Sequence, residues 1–219
     1  MTVAWLVAAA VVGYACGAVS PATILARRFA TDLRASGSGN PGATNVGRVL
    51  GVRWGVLVAL LDVAKGLVPA AGFALVGEGP GLVGGAAAVL GHVSSPFLRG
   101  RGGRGVATSL GAILGVKLLW AVPVLLAFGV VAVLTRWVAL GSVAAAVALV
   151  VTAAVADASV AARIWGVGLA TVVLLRHRAT IVAALRRVRR GPRSSARGHA
   201  EDGETRDGDG SGGLAGPVG

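Results

Sequence analysis

Residues 36–51, SGSGNPGATNVGRVLG, form the only long polar, glycine-rich stretch before the C-terminal tail. Its glycines leave the backbone free to adopt positive φ and to turn N–H groups toward an anion. Hydroxyl and amide side chains add hydrogen-bonding groups, and Arg48 adds a planar cation suited to phosphate or carboxylate. The stretch therefore predicts a phosphate site, although a plain connecting loop has a similar composition. The candidate ligands are Ser36, Gly37, Ser38, Gly39, Asn40, Gly42, Thr44, Asn45 and Arg48.

A second basic stretch, HVSSPFLRGRGGRGVAT, covers residues 92–108 and contains no acid. Its glycines repeat the anion-binding logic of the first stretch, and Arg104 directly follows Gly102 and Gly103. We expect both stretches to lie on the same side of the protein, where they can meet. His92 at the start of this stretch is, taken alone, more typical of a hydrogen-bonded structural histidine than of a catalytic one.

Both stretches contain a GxGxxG pattern, but neither is predicted to bind a nucleotide. Neither pattern follows a β-branched strand within a βαβ unit, as a Rossmann fold requires. The chain also has no GxxxxGK[ST] sequence, which excludes a P-loop. It has one cysteine, Cys16, and no cluster of cysteine and histidine, so we expect no internal disulfide, no metal and no other cofactor.

The composition is that of an integral membrane protein. Of the 219 residues, 55% are hydrophobic and 14% are charged, and the mean hydropathy is +0.77. The net charge of +12 comes from basic residues between and after apolar runs, as in cytoplasmic membrane flanks. The expected partners are therefore membrane lipids and an anionic substrate, and not nucleic acid.

The apolar runs predict an all-α, multi-pass fold of about seven transmembrane helices, joined in one place by a turn at Glu78, Gly79 and Pro80. Arginines cluster in alternate loops and after the last span, so the positive-inside rule predicts an outside N-terminus and a cytoplasmic C-terminus. Residues 1–190 form the predicted membrane domain, and residues 191–219 a disordered cytoplasmic tail rich in Gly, Ser and acids. The predicted spans are residues 3–26, 54–76, 81–93, 106–120, 123–134, 137–155 and 158–175.

Two ionisable residues lie inside the second predicted span. Asp62 and Lys65 are three residues apart and so share one helical face. Each would cost roughly 2.5–3.5 kcal/mol at a lipid-facing helix centre, so both should point into the bundle, toward one another or toward a polar cavity. A structural ion pair and a role in substrate binding fit that position equally well. Ser142, in the sixth predicted span, is a buried hydroxyl that can bond to its own helix.

These segments resemble the bacterial PlsY-type acyl-phosphate:glycerol-3-phosphate acyltransferases over about residues 3–187. The most specific match is SGSGNPGATNVGR at residues 36–48, which is similar to the family's first signature. Several matches in the same order are far more specific than a lone GxGxxG pattern. The others are LDVAKG at residues 61–66, GH at 91–92 with GGRGVAT at 102–108, TRWVALGS at 135–142 and HRATI at 177–181.

The resemblance implies an enzyme of the bacterial plasma (inner) membrane whose cytoplasmic pocket moves an acyl group from acyl phosphate to the 1-hydroxyl of glycerol 3-phosphate. The product is lysophosphatidic acid, used in phospholipid synthesis. Acyl phosphate is already activated, so the chemistry needs proximity and phosphate neutralisation rather than a covalent nucleophile. By the same resemblance His177 is the best candidate for a general base, with phosphate binding or proton removal by the departing phosphate as alternatives. The implied phosphate-binding and catalytic residues are Ser38, Arg48, Arg104, Ser142, His177 and Thr180, and the matching motifs add Lys65, His92, Gly102, Gly103 and Thr108 as substrate-binding residues.

Two positions depart from the family pattern. The family usually has lysine where this chain has Arg104 and asparagine where it has Thr180, and it usually ends in a GTE-like sequence that this chain lacks. Arginine keeps the charge but not the compact point geometry, and threonine lacks the amide donor. An inactive paralogue is therefore one alternative. The other is a membrane protein that binds or transports anionic lipid head groups through the same two basic stretches.

Overall fold

The computed structural model describes residues 2–190, with side chains up to residue 187, and this part of the chain is all-α. The predicted tail at residues 191–219 lies outside the described residues. Internal contacts divide the chain after Val182, so only the end of the last helix belongs to the described part of the second unit. The helices are α1 Val3–Ala18, α2 Pro21–Arg28, α3 Ala43–Leu50, α4 Val52–Ala74, α5 Glu78–Val93, α6 Val106–Val116, α7 Ala121–Thr135, α8 Val138–Val155, α9 Val160–Arg176 and α10 Arg178–Arg190.

Five helical runs of the described chain are long and apolar enough to cross a membrane, and the bent pair of α9 and α10 makes a sixth if it counts as one span. Each of the seven predicted segments is helical, so the all-α prediction is confirmed. The 11 residues of α6 extend roughly 16 Å, which is about half of a ~30 Å hydrocarbon layer. The five runs are Val3–Arg28, Val52–Ala74, Glu78–Leu98, Leu118–Thr135 and Val138–Val155.

The predicted turn at Glu78, Gly79 and Pro80 is wrong, because these residues form the first turn of α5. A proline in a first helical turn removes no intrahelical hydrogen bond, and an acid there favours the positive end of the helix dipole. The Glu78 carboxylate lies 2.6 Å from Lys117 Nζ and accepts a hydrogen bond of 2.8 Å from Ser159 Oγ. Lys117 directly follows the last residue of α6, so this contact joins the end of α6 to the start of α5; α6 stops earlier than the predicted span.

Small residues let the helices approach closely. A Cβ atom at Gly17 of α1 would overlap the Ala88 carbonyl of α5, and one at Gly111 of α6 would overlap the Val63 carbonyl of α4. Contacts of this kind replace bulky interdigitation where helices pack inside a membrane. The main apolar core lies between α4, α5, α6, α7, α8 and α9 and includes the buried Trp165.

A smaller apolar cluster fixes the segment between α2 and α3, which we name the first loop (residues 29–42). The cluster joins Ala22 and Ala26 of α2 to Leu33 of the loop, Val46 of α3 and Val58 of α4. The first loop is therefore packed against the helix bundle through its own side chains. It also meets the second loop (residues 94–105, between α5 and α6), since Arg34 donates a 2.9 Å hydrogen bond to the Arg101 carbonyl. Arg48 and Arg104, one from each basic stretch, also line one cavity, so the prediction that the two stretches can meet is confirmed.

Candidate active site

A single cavity of about 470 Å³ brings together chain segments that are far apart in sequence. Its wall includes the first loop and α3, the second loop and the start of α6, the turn between α7 and α8, and the junction of α9 and α10. Its polar lining residues are Ser38, Asn40, Thr44, Asn45, Arg48, Asp62, His92, Arg104, Ser109, Arg136, Ser142, His177 and Thr180.

The cavity changes from polar to apolar along four helices. Charged and polar residues lie where α6 and α8 begin and where α7 and α9 end, and we name this region the mouth. Further along the same helices the lining becomes aliphatic and aromatic, and we name this region the apolar end. Along α8 the lining runs from Val138 to Leu149, which is roughly 16 Å of helix. The residues of the apolar end are Leu110, Ile113, Val124, Leu125, Phe128, Ala145, Ala146, Leu149, Ala170 and Val173.

The buried side chain of Asn45 holds the first loop in shape. Its Nδ2 donates hydrogen bonds of 3.0 Å to the carbonyls of Leu33 and Ser36, and its Oδ1 accepts a 2.8 Å bond from the Ser38 N–H. Both amide hydrogens are thus used within the loop. Gly37 has a φ of 60°, and a Cβ there would overlap Asn45 Oδ1. Asn45 and Gly37 therefore position the loop, whereas the sequence predicted both as candidate phosphate ligands.

Three N–H groups of the first loop already have hydrogen-bond partners within the protein. The Ser38, Gly39 and Gly42 N–H groups each donate a hydrogen bond inside the loop or to Asn45. Further backbone donors lie at the start of α3, which begins after Gly42 without a side-chain cap. Gly42, Ala43 and Thr44 line the cavity. The positive end of this helix dipole is therefore directed at the mouth.

The second loop is built in a similar way. Gly102 and Gly103 donate N–H hydrogen bonds to the carbonyls of Val93 and His92, so these N–H groups are also unavailable for an anion. The carbonyls of Gly102 and Gly103 accept hydrogen bonds of 2.7 and 3.1 Å from the Arg176 guanidinium at the end of α9. Helix α6 then begins without a side-chain cap at residues that line the cavity. A second uncapped helix start thus faces the mouth.

Three arginines of the cavity wall have guanidinium groups without a hydrogen-bond acceptor among the residues that the structure describes. They are Arg48 at the end of α3, Arg104 just before α6, and Arg136 between α7 and α8. Burial lowers the pKa of Arg104 below its ordinary value, and the positive charge of Arg176 lowers it further. An arginine stays charged even so, and its charge in a half-buried setting favours the binding of an anion.

His177 follows the last residue of α9, and its side chain is buried in the cavity wall. Its Nδ1 lies 2.8 Å from the Val173 carbonyl, which can only accept, so Nδ1 carries the proton. In the neutral ring Nε2 then has the free lone pair. Burial lowers the pKa of His177, and the charges of Arg104 and Arg176 lower it further, although the hydrogen bond to Val173 raises it. The neutral ring, with a proton acceptor at Nε2, is thus the favoured form near neutral pH.

A buried cluster of three ionisable side chains lies beside the mouth. Asp62 Oδ1 is 2.9 Å from Lys65 Nζ and 3.5 Å from His92 Nδ1. Lys65 also donates a 2.8 Å hydrogen bond to the Val19 carbonyl, where α1 ends. Asp62 and His92 line the cavity and Lys65 does not. The predicted approach of Asp62 and Lys65 is confirmed, and the two side chains form an ion pair.

Comparison with known proteins identifies the family. The sequence profile of the glycerol-3-phosphate acyltransferase family matches residues 7–187. The chain belongs to this family. The glycerol-3-phosphate acyltransferase of Geobacter sulfurreducens is 40% identical over 82% of this chain and 92% of its own length. That of Thermoanaerobacter pseudethanolicus is 39% identical over 81% and 90% of the two chains.

Two crystal structures of PlsY, an integral membrane glycerol 3-phosphate acyltransferase, share the fold of this family member. Its glycerol 3-phosphate form has a TM-score of 0.78 at 33% identity, and its lysophosphatidic acid form has a TM-score of 0.76 at 32% identity. In both comparisons the match covers 83% of this chain and 92% of the PlsY chain. Together with its apolar helices, this likeness makes the present acyltransferase a membrane protein.

The cavity of this acyltransferase includes most, but not all, of the residues that the sequence nominated. Ser142 lines it one turn into α8 and donates a 3.1 Å hydrogen bond to the Val138 carbonyl, as predicted. Thr108 is fully buried, and its carbonyl packs against Gly66 of α4. Those that line the cavity are Ser38, Asn40, Gly42, Thr44, Asn45, Arg48, His92, Arg104, Ser142, His177 and Thr180; those that do not are Ser36, Gly37, Gly39, Lys65, Gly102, Gly103 and Thr108.

Sequence reasoning missed four parts of the acyltransferase site. It assigned no site role to Arg136 or to Arg176. Ser109 in the second turn of α6 was not singled out, although it lines the cavity. The apolar end was missed entirely, because an aliphatic residue facing a cavity looks the same in sequence as one facing lipid. For Arg136 a signal existed, since it lies within TRWVALGS at residues 135–142, a motif that matches the family.

Proposed function

We propose that the chain transfers an acyl group from an acyl phosphate to the 1-hydroxyl of glycerol 3-phosphate, giving lysophosphatidic acid and inorganic phosphate. The observation that supports this most directly is one cavity with a cationic mouth and an apolar end. The mouth fits phosphate groups, because two uncapped helix starts and three arginines line it. The apolar end fits a fatty acyl chain.

An acyl phosphate suits this cavity better than a larger donor. It consists only of a chain, a carbonyl and a phosphate, which correspond to the apolar end and to the mouth. The acceptor brings a second phosphate, so the two substrates carry two dianions into a region with three guanidinium groups that have no acceptor among the described residues. Offsetting most of this negative charge allows the two substrates to approach each other, which is the main requirement for a donor that is already activated.

The reaction forms one bond and breaks another at the acyl carbon. The 1-hydroxyl oxygen of glycerol 3-phosphate attacks the carbonyl carbon, and the bond from that carbon to the phosphate oxygen breaks. In this proposal His177 Nε2 accepts the hydroxyl proton and passes it to the departing phosphate. The hydrogen bond from Nδ1 to the Val173 carbonyl fixes the ring orientation and the tautomer that this role needs.

A turnover assay on the purified full-length protein tests the proposal. Palmitoyl phosphate and radiolabelled glycerol 3-phosphate are expected to yield labelled lysophosphatidic acid and an equal amount of inorganic phosphate. Palmitoyl coenzyme A in place of palmitoyl phosphate is the control, and we expect little product from it. Binding of glycerol 3-phosphate without turnover would contradict the proposal and would favour an inactive paralogue or a protein that binds anionic head groups.

We also infer that the mouth faces the cytoplasm across the bacterial plasma membrane. Arg27, Arg28 and the basic residues of both loops lie at the mouth end of the bundle, and the positive-inside rule assigns such loops to the cytoplasm. In a variant with Cys16 replaced by alanine, Leu75→Cys between α4 and α5 should react with an impermeant thiol reagent in intact cells. Phe97→Cys in the second loop should react only after lysis. The reverse pattern would refute this orientation.

A further inference from the structure

Arg136 is a cation of the cavity wall that contributes to the positive mouth but has not been assigned to either substrate phosphate. It ends α7 with a φ of 54°, in the left-handed region that non-glycine residues seldom adopt. Its side chain is exposed at the mouth and lines the cavity. No described residue accepts a hydrogen bond from its guanidinium group. These features make Arg136 a cation held at the cavity without a protein partner.

The helices on either side of Arg136 form much of the apolar end. Phe128 and Leu125 of α7 precede it, and Val138 and Ala139 of α8 follow it, and all four line the cavity. The other two cavity arginines come from different elements, α3 and the second loop. Of the three cavity arginines, Arg136 is therefore the one that lies between α7 and α8, beside the first apolar residues of α8 that line the cavity.

The two phosphates of the proposed reaction differ in their distance from the acyl chain. The donor phosphate is bonded to the acyl carbonyl itself, so it must lie where the chain leaves the apolar end. The acceptor phosphate lies at the far end of a three-carbon glycerol. A cation located where the apolar lining begins is placed for the first phosphate rather than the second.

We propose that Arg136 binds the phosphate of the acyl phosphate donor, and so selects for donors that carry a phosphate next to the acyl carbonyl. This inference rests on the proposed function. A planar guanidinium can donate two parallel hydrogen bonds to phosphate oxygens. A residue that only sets the membrane topology needs the positive charge but not these hydrogen bonds. The competing explanation is that Arg136 only marks the end of a span, as basic residues commonly do.

Steady-state kinetics with each substrate varied in turn separates these roles. Arg136→Gln should raise KM for palmitoyl phosphate roughly 10- to 100-fold and leave KM for glycerol 3-phosphate within about twofold. Arg136→Lys should recover part of the loss. Because the contact is with the phosphate, the same relative increase is expected with octanoyl phosphate.

Arg99→Gln is the matched control. Arg99 also has a left-handed backbone, with a φ of 52°, and an exposed side chain in a basic loop, but it does not line the cavity. Its substitution should leave both KM values near those of the unchanged protein. Equal increases in both KM values for Arg136→Gln, or the same effect from Arg99→Gln, would refute the donor assignment.

A binding measurement keeps this inference separate from the proposed function. Dodecyl phosphonate, which has the chain and the phosphorus oxyanions but no acyl group to transfer, should bind the purified protein about tenfold or more weakly after Arg136→Gln. If this dependence holds but the unchanged protein makes no lysophosphatidic acid, the inference stands and the proposed function fails. If turnover occurs but Arg136→Gln changes neither KM for palmitoyl phosphate nor the binding of dodecyl phosphonate, the proposed function stands and the inference fails.

Discussion

Replacing His177 with asparagine tests the proton transfer most directly. The asparagine amide can occupy the place of Nδ1 and still donate to the Val173 carbonyl, which His177 contacts at 2.8 Å. It has no basic atom in the place of Nε2. The substitution therefore removes the base while it keeps the local hydrogen bond. General-base catalysis contributes about 10²- to 10⁴-fold, so kcat should fall by that factor while KM for both substrates changes by less than about fivefold.

The pH dependence of the unchanged protein follows from the shifted pKa of His177. Burial lowers this pKa below its ordinary value, with a further contribution from the charges of Arg104 and Arg176. The neutral, active form therefore persists as the pH falls to the ordinary histidine value of about 6.5. Activity should decline only when the pH falls through the lowered pKa. Because kcat/KM reports groups of the free enzyme, its acid limb should lie below pH 6.5.

The assay is a pH series of initial rates for the unchanged protein and for His177→Asn at equal amounts of folded protein. The substrate phosphates also titrate near pH 6, and their contribution should remain in the variant, whereas the contribution of His177 should disappear. If His177→Asn keeps more than about a tenth of kcat and the same acid limb, His177 is not the base. That result would assign proton removal to the departing phosphate.

Three further substitutions probe other parts of the site. Arg48→Ala should lower kcat/KM about 30- to 1000-fold, and Arg48→Lys should lower it less. The control is Arg53→Ala, which should have little effect, because the Arg53 guanidinium lies 5.0 Å from the centroid of the Trp54 ring and outside the cavity. Equal kcat/KM values for all three variants would refute a phosphate role for Arg48. Gly103→Ala should lower the thermal midpoint because its Cβ would overlap the His92 ring. Because His92→Ala removes that overlap but also a partner of Asp62, the double variant should lose less than the sum of the two single losses; additive losses would contradict the packing. Ala146→Leu, in the apolar end, should raise KM for palmitoyl phosphate about tenfold more than KM for octanoyl phosphate, and an equal effect on both donors would argue against that chain position.

Much of the fold follows from the sequence because long apolar runs have few alternatives in a membrane. The sixth predicted span, residues 137–155, differs by one residue from α8, Val138–Val155. The first is interrupted, because Ser20 caps a new helix that begins at Pro21. A proline at a first helical position and a serine before it are local signals for this break. The first predicted span, residues 3–26, is thus divided into two helices.

The hydrogen bonds of the two loops could not be predicted from the sequence. Glycines at residues 37, 39 and 42 indicated a nest of N–H groups, but the partner of the Ser38 N–H is the Asn45 side chain seven residues away. In the second loop the Gly102 carbonyl bonds to Arg176, which is 74 residues away. Local sequence identifies which loops carry the chemistry, and tertiary contacts decide which of their backbone groups remain free for a ligand.

The two departures from the family pattern can be examined against these contacts. Arg104 is next to a loop whose carbonyls Arg176 already binds, so a planar guanidinium at Arg104 remains available to the cavity. The guanidinium can donate hydrogen bonds to two phosphate oxygens at once, whereas the ammonium group of lysine acts as a single point charge. Thr180, three residues after His177, lies in the first turn of α10, is buried and lines the same cavity. Its hydroxyl can still donate one hydrogen bond to a phosphate, although it lacks the two amide hydrogens of asparagine. Both replacements therefore keep a hydrogen-bond donor at the mouth, and this favours an active acyltransferase over an inactive paralogue.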